Sequence, residues 1–106
     1  KHAGKPCAGL QIHVEDAAYD HGVFQPWRLL ALAFKALRTL APEYPLWRDF
    51  TYEYETERRA IDVINGSALL REWVDDRAAT ASDLEALAAT DERAWREERE
   101  TVLLYR

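Results

Sequence analysis

Two stretches of the chain alternate between apolar and polar residues, which is the pattern of a half-buried β-strand. In the first, Leu10, Ile12 and Val14 alternate with the polar residues of segment 10–15. A period of two places the three aliphatic side chains on one face of a strand and the polar side chains on the other. We therefore predict a strand at 10–14 whose aliphatic face lies inward.

The second alternating stretch runs over residues 46–55 and has aromatic residues on one face. Phe50, Tyr52 and Tyr54 alternate with acidic residues and threonine. Aromatic side chains suit a pleated, half-buried surface, so the pattern predicts a second strand. Residues 60–64 are expected to form a short strand or a tight connection, because their apolar run is too short to decide between them.

Residues 26–40 have the clearest helical pattern, with Pro26 suited to the first turn. One apolar stripe passes through Trp27 and Phe34, and another passes through Leu29 and Leu40. The polar strip between the stripes is narrow and consists of Arg28, Lys35, Arg38 and Thr39. A helix that is apolar around most of its circumference is usually buried on several sides. We therefore predict a central helix on which most other elements pack.

Three further helices are predicted in the C-terminal half. Apolar residues at helical spacing follow Ser67, a plausible N-cap. Ser82 and Glu85 match a capping box at the start of the next helix. The last helix is expected over about 91–100, with Trp95 as its inward anchor, before a short apolar strand or docking tail at 102–105.

These elements predict one α+β domain over residues 1–106, with a small mixed sheet of short strands packed on the central buried helix and further C-terminal helices. A length of 106 residues suits one domain, and the hydrophobic fraction of 48% allows a core. The chain begins at Lys1 and contains no methionine. We therefore expect it to be a piece of a larger protein.

The charge pattern argues against several functions. The 14 basic residues are scattered among 19 acidic ones, whereas a nucleic-acid interface needs clustered Lys and Arg. No apolar stretch is long enough to span a membrane. Spacing among His2, Cys7, His13 and His21 fits no common zinc pattern, and the four glycines form no phosphate-binding loop. We predict no metal and no cofactor, and the single cysteine excludes an intrachain disulfide.

Two surfaces are candidate binding sites. Gln11 and His13 share the polar face of the first predicted strand, where they can hydrogen-bond sugar hydroxyls or an amide. The alternative is that this face simply contacts water or another domain. Tyr52 and Tyr54 form either a sugar-stacking platform or part of a core or interface. The acidic residues show no pattern that selects a catalytic pair.

Several segments occur together in a characteristic order. They are the Cys-x-Gly-x-x-Ile-x-Val-x-Asp run of residues 7–16, the Phe24-x-Pro26 motif, the Gly66-x-x-Leu-Leu-Arg segment and the closing Leu-Leu-Tyr. This ordered set covers essentially the whole chain. It resembles the C-terminal domain of the bacterial exo-β-N-acetylmuramidase family called NamZ.

The resemblance implies a two-domain glycoside hydrolase of peptidoglycan turnover and recycling, acting at the cell envelope, in the periplasm or outside the cell. A Rossmann-like N-terminal domain of the same chain would hold the catalytic acids and remove N-acetylmuramic acid from peptidoglycan-derived saccharides. The present domain would shape the cleft and contribute no catalytic residue. Its expected substrate-facing or interdomain residues are Gln11, His13, Asp16 and Tyr19. The alternative is a stand-alone carbohydrate-binding or protein-interaction module.

Overall fold

The structure, a computed structural model, describes residues 3–7, 9–15 and 17–105. Its helices are α1 (Pro26–Leu40), α2 (Ala60–Asn65), α3 (Leu69–Asp75) and α4 (Ala81–Arg99). Helix accounts for 47% of the described residues and strand for only 2%, and these residues form no sheet. The predicted α+β class with a small mixed sheet is therefore wrong.

The first predicted strand is absent. Residues 9–15 lie in irregular backbone, and Leu10 is 91% exposed, so the aliphatic side chains do not face inward. Alternating apolar and polar residues indicate which side chains share each face of a strand. A strand also requires a neighbouring strand with which its backbone can pair. No other described segment pairs with this one, and its backbone therefore has no ladder to join.

The second predicted strand is also absent, because local hydrogen bonds fold residues 46–55 into turns. The only pairing in this stretch is an isolated antiparallel bridge between Tyr52 and Glu55. The Glu55 carboxylate accepts hydrogen bonds from the backbone N–H of Glu57 at 2.8 Å and from Arg58 Nε at 2.7 Å. These bonds lower the pKa of Glu55 to about 2. Tyr54 is fully exposed, so no aromatic face is buried.

Residues 60–64 belong to helix α2, not to a strand or a connection. The helix ends at Gly66, whose φ of 85° is the left-handed conformation that glycine adopts readily at helix ends. Helix α3 follows as predicted, but its N-cap is Ala68 and not Ser67. Asn65 uses its side-chain amide to reach the carbonyl of Ser67 at 3.3 Å, which holds the connection between the two helices.

Helix α4 begins earlier and runs longer than the sequence pattern predicts. Its N-cap is Thr80, whose N–H and hydroxyl both donate to the Asp83 carboxylate at 2.7 Å. These two bonds lower the pKa of Asp83. The expected Ser82–Glu85 box is therefore wrong, and the expected helix at 91–100 is the second half of α4. Trp95 is 59% exposed and is not an inward anchor.

The centre of the fold is α3, which contacts α1, α2 and α4. Its Trp73 is buried and donates from Nε1 to the carbonyl of Thr80 at 2.9 Å, which joins α3 to the start of α4. Phe34 and Trp47 pack on this core edge to face, with ring centroids 5.5 Å apart. The fully buried cluster consists of Ala31, Leu70, Trp73, Val74 and Leu84.

Helix α1 has the predicted bounds but the opposite orientation. Ala31 is its only buried residue, whereas five leucines of the helix are exposed. The polar strip faces the rest of the domain. Arg28 Nε and Nη1 bind Glu85 and Glu92, and Arg38 Nε binds Asp75 at 2.8 Å. The prediction of a helix buried on several sides is therefore wrong. One side of α1 contacts the domain through Ala31, Phe34 and the three cations, and the leucines on the other side are exposed.

Lys35 makes a third inward contact of α1, which joins this helix to the C-terminal end of α3. Its ammonium group donates to the carbonyls of Trp73 at 2.8 Å and Val74 at 3.4 Å, and also to that of Asp76. It lies 4.9 Å from the centroid of the Trp73 ring. The last carbonyls of a helix lack intrahelical partners and carry partial negative charge, so a lysine is well suited to this position.

The domain is less compact than is usual for a chain of its length. Its radius of gyration is 17.0 Å, whereas a compact domain of 100 residues has about 13 Å. The residues described before α1 include none that is buried, and only Tyr19 and Phe24 are half-buried. The N-terminal quarter of the chain therefore contributes little to the core.

Candidate functional site

An open groove lies between the segment that precedes α1 and the first two turns of that helix. It offers about 660 Å³ of space, which is within the range of small-molecule sites. Pro26 starts α1 directly after the loop, so the helix presents Leu29 and Leu32 to the groove. The lining residues are His13, Ala18, Tyr19, Asp20, Val23, Phe24, Gln25, Leu29 and Leu32.

Tyr19 is the central aromatic residue of this groove. Its ring contacts Phe24 edge to face, with centroids 5.4 Å apart, and contacts His21 in the same manner at 4.7 Å. Edge-to-face contacts of this length stabilise a defined ring orientation. Tyr19 is half-buried, so part of its side chain is open to the groove.

A tight turn at Asp20 positions these rings. The Asp20 carboxylate accepts a hydrogen bond from the N–H of Gly22 at 2.7 Å, and its carbonyl accepts from the N–H groups of Val23 and Phe24. Aspartate favours such turns because its short side chain reaches the backbone two residues later. The turn reverses the chain so that Tyr19 and Phe24 meet.

His13 and Gln25 supply the polar groups of the groove. Neither side chain makes a hydrogen bond with another described residue, and both are exposed. An amide offers two donors and an acceptor, and an imidazole offers a donor and an acceptor when neutral. Together with the Tyr19 hydroxyl, these groups suit a ligand with several hydroxyl or amide groups.

The structure brings together two of the four residues expected to face a substrate or another domain. His13 and Tyr19 both line the groove, whereas Gln11 is exposed and lies outside it. Asp16 falls outside the described residues. The sequence reasoning did not identify Phe24 or Gln25. The Asp20-His21-Gly22 sequence indicates a turn, but it does not indicate that the turn brings Phe24 against Tyr19.

The tyrosines proposed as a stacking platform lie elsewhere. Tyr52 and Tyr54 border a separate shallow depression together with Val63. Tyr54 is fully exposed, so it is not part of the core.

A second groove, between α3 and α4, is acidic. It contains Glu72, Asp76 and Asp83 and no basic side chain. Asp76 accepts a hydrogen bond from the N–H of Ala78 at 2.9 Å, and Asp83 binds Thr80. Two of the three carboxylates therefore stabilise local structure, and we assign no acid/base pair here.

A third groove, between α1 and the end of α3, is basic. Lys35, Arg38 and Arg77 line it with Asp75. The ammonium group of Lys35 donates to carbonyls of α3, and Arg38 forms a salt bridge with Asp75. Most of the charged groups in this groove therefore make contacts within the domain. The groove around Tyr19 is the best candidate site.

The described residues also define what these sites lack. They contain no group of three or more His, Cys, Asp or Glu side chains placed to hold a metal ion. Within the same residues, no helix is long and apolar enough to cross a membrane.

Comparison with known proteins gives one match. A family model described as "Exo-beta-N-acetylmuramidase NamZ, C-terminal" matches residues 1–105, which is essentially the whole chain. No curated protein and no solved structure matches the chain significantly.

Proposed function

The chain belongs to the family of C-terminal domains of the exo-β-N-acetylmuramidase NamZ, and we propose that it is a non-catalytic domain shaping the substrate cleft of such an enzyme. The family connects it with the hydrolysis of peptidoglycan and implies an N-terminal catalytic domain. The observation that supports a role in the cleft is the groove in which Tyr19 and His13 meet.

The groove suits binding better than hydrolysis. Glycoside hydrolysis ordinarily needs two carboxyl groups on either side of the scissile bond. Asp20 is the one carboxylate among the described lining residues, and the Gly22 N–H already binds it. The catalytic acids are therefore expected in the N-terminal domain, with this domain forming one wall of the cleft.

The chemistry of N-acetylmuramic acid matches the groups in the groove. The Tyr19 and Phe24 rings provide apolar surface for the C–H face of a sugar ring. The Gln25 amide can donate to and accept from an acetamido group, and the His13 imidazole can donate to a hydroxyl or to the lactyl carboxylate. Binding through these groups would orient the sugar toward the catalytic domain.

The experiment is to measure release of N-acetylmuramic acid from a chromogenic muramide by the full-length protein carrying Tyr19→Ala. We expect kcat/KM to fall about fivefold, mainly through KM, because stacking contributes about 1 kcal/mol to binding in both ground and transition states. Tyr54→Ala is the matched control, since Tyr54 is exposed and distant from the groove. Equal kinetics for the two variants would contradict the proposal.

A stand-alone carbohydrate-binding module is the second candidate, because every residue named for the groove lies within this chain. The two roles differ in the affinity that the isolated chain is expected to have for the sugar. Titration of the 106-residue chain with N-acetylmuramic acid, followed by NMR signals of His13 and Tyr19, tests this. Saturable shifts would favour the binding module, and a flat titration would favour a wall completed by the catalytic domain.

A further inference from the structure

The side of α1 that faces away from the domain is aliphatic. We call this surface the outer face of α1; it consists of Leu29, Leu30, Leu32, Leu37 and Leu40. These leucines are between 38% and 83% exposed. An amphipathic helix in water normally turns its apolar stripe toward a core, so this orientation requires a partner that covers the stripe.

The orientation is fixed by specific contacts. Arg28, Lys35 and Arg38 lie on one stripe of the helix, because their spacings of seven and three residues bring them to the same side. All three bind groups of α3, α4 or the loop after α3. Rotating the leucines inward would expel these cations from their partners. The outer face therefore stays outside the domain.

The exposed apolar area is large. The outer face is continuous with the groove through Leu29 and Leu32, and His13 brings segment 10–14 to the same groove. Val23, which is 74% exposed, lines that groove and extends the apolar surface beyond the five leucines. Exposed apolar surface of this kind marks interaction sites.

We propose that the outer face of α1 docks against the N-terminal catalytic domain of the same polypeptide. This inference rests on the proposed function, since the family places this domain C-terminal to a catalytic one. His13 and Tyr19, which precede α1 in the chain, line one groove with Leu29 and Leu32 of the outer face, so the outer face adjoins the N-terminal part of this domain. An aliphatic face without charges is typical of permanent interfaces and not of transient ones.

The docking also explains the position of the groove. The groove shares Leu29 and Leu32 with the outer face, so docking would place Tyr19 at the boundary between the two domains. Ligand sites occur preferentially at domain boundaries. One surface would therefore provide both the interdomain contact and a wall of the cleft.

The test uses Leu37→Cys in the full-length protein, with the rate of maleimide labelling followed by peptide mass spectrometry. Leu69→Cys on α3 is the matched control, because Leu69 is 46% exposed and Leu37 is 51% exposed in this domain. We expect the thiol introduced at 37 to react at least tenfold more slowly than the thiol introduced at 69. Equal labelling rates would overturn the proposal.

Dilution separates the catalytic domain from a second copy of the chain as the covering surface. Protection within one polypeptide is independent of concentration, so it should persist from micromolar to nanomolar protein. Protection that disappears on dilution would assign the outer face to a dimer and overturn the proposal. Labelling does not depend on hydrolysis, so failure of the docking is distinguishable from failure of the cleft role, which Tyr19→Ala tests.

Discussion

Arg71 of α3 binds the carboxylate of Asp62 on α2 through two nitrogens, with Nε at 2.8 Å from Oδ1 and Nη2 at 2.8 Å from Oδ2. Asp62 is 7% exposed and is the buried charged residue of the described chain. The pairing raises the pKa of Arg71, chiefly through the hydrogen bond to Asp62. This pair joins α2, a helix of six residues, to α3.

Replacing Arg71 with alanine is expected to destabilise the protein by about 2 kcal/mol, because the substitution leaves the Asp62 carboxylate buried without its partner. Chemical denaturation measures the free energy of unfolding. Arg77→Ala is the control: Arg77 is exposed, makes no hydrogen bond with another described residue, and should cost less than about 0.5 kcal/mol. Equal losses for the two variants would contradict the structural role of the pair.

Arg28 joins α1 to α4, since its guanidinium binds Glu85 at 2.9 Å and Glu92 at 2.7 Å. We expect Arg28→Gln to accelerate hydrogen exchange of α1 amides roughly fivefold, because a partly exposed ion-pair network contributes up to about 1 kcal/mol. Arg93→Gln, on an exposed part of α4, should leave the exchange unchanged. The difference between the variants should shrink at high salt, because ions screen exposed charges.

Acid should weaken the turn at residues 52–58. The pKa of Glu55 is lowered from 4.5 to about 2, first by the Glu57 N–H and then by Arg58. A carboxylate whose pKa is lower in the folded state stabilises the protein above pH 4.5, and this contribution is lost as the pH falls from about 4.5 to about 2. Glu55→Gln should remove that pH dependence, as measured by NMR shifts of the Glu57 amide. A wild-type amide titrating near 4.5 would contradict the hydrogen bond.

The cap of α4 distinguishes the observed helix start from the predicted one. Thr80→Ala should destabilise the protein by about 1 kcal/mol, because it removes the hydroxyl that binds Asp83 at the N-cap. Ser82→Ala should have little effect, since Ser82 lies inside the helix. Thermal unfolding of the two variants measures the difference. A larger loss for Ser82→Ala would favour the box predicted from the sequence.

Helices were predictable where the local sequence determines them. Pro26 and the helical period gave α1 its observed bounds, and the apolar spacing after Gly66 gave α3. The strands failed because alternation is a local property, whereas a strand needs a neighbour from elsewhere in the chain. At Glu55, hydrogen bonds within three residues replaced the expected ladder.

The orientation of α1 could not be predicted, because it depends on distant partners. The polar strip was identified correctly, but nothing local indicates that Asp75, Glu85 and Glu92 would draw it inward. The candidate groove depends on contacts between segments in the same way. His13 and Tyr19 were expected from the family resemblance, whereas the contribution of Phe24 required the turn at Asp20 to be seen.

The contrasting surroundings of the tryptophans give the domain a built-in optical reporter. Trp73 lies in the core with its indole N–H bonded, whereas Trp95 projects into water from the second half of α4. A polar quencher should therefore remove the red-shifted emission of Trp95 and leave the blue-shifted emission of Trp73. The residual fluorescence would come mainly from Trp73 and from the half-buried Trp47, which packs on the same core, so it would follow the integrity of that core without a label and without any measurement of hydrolysis.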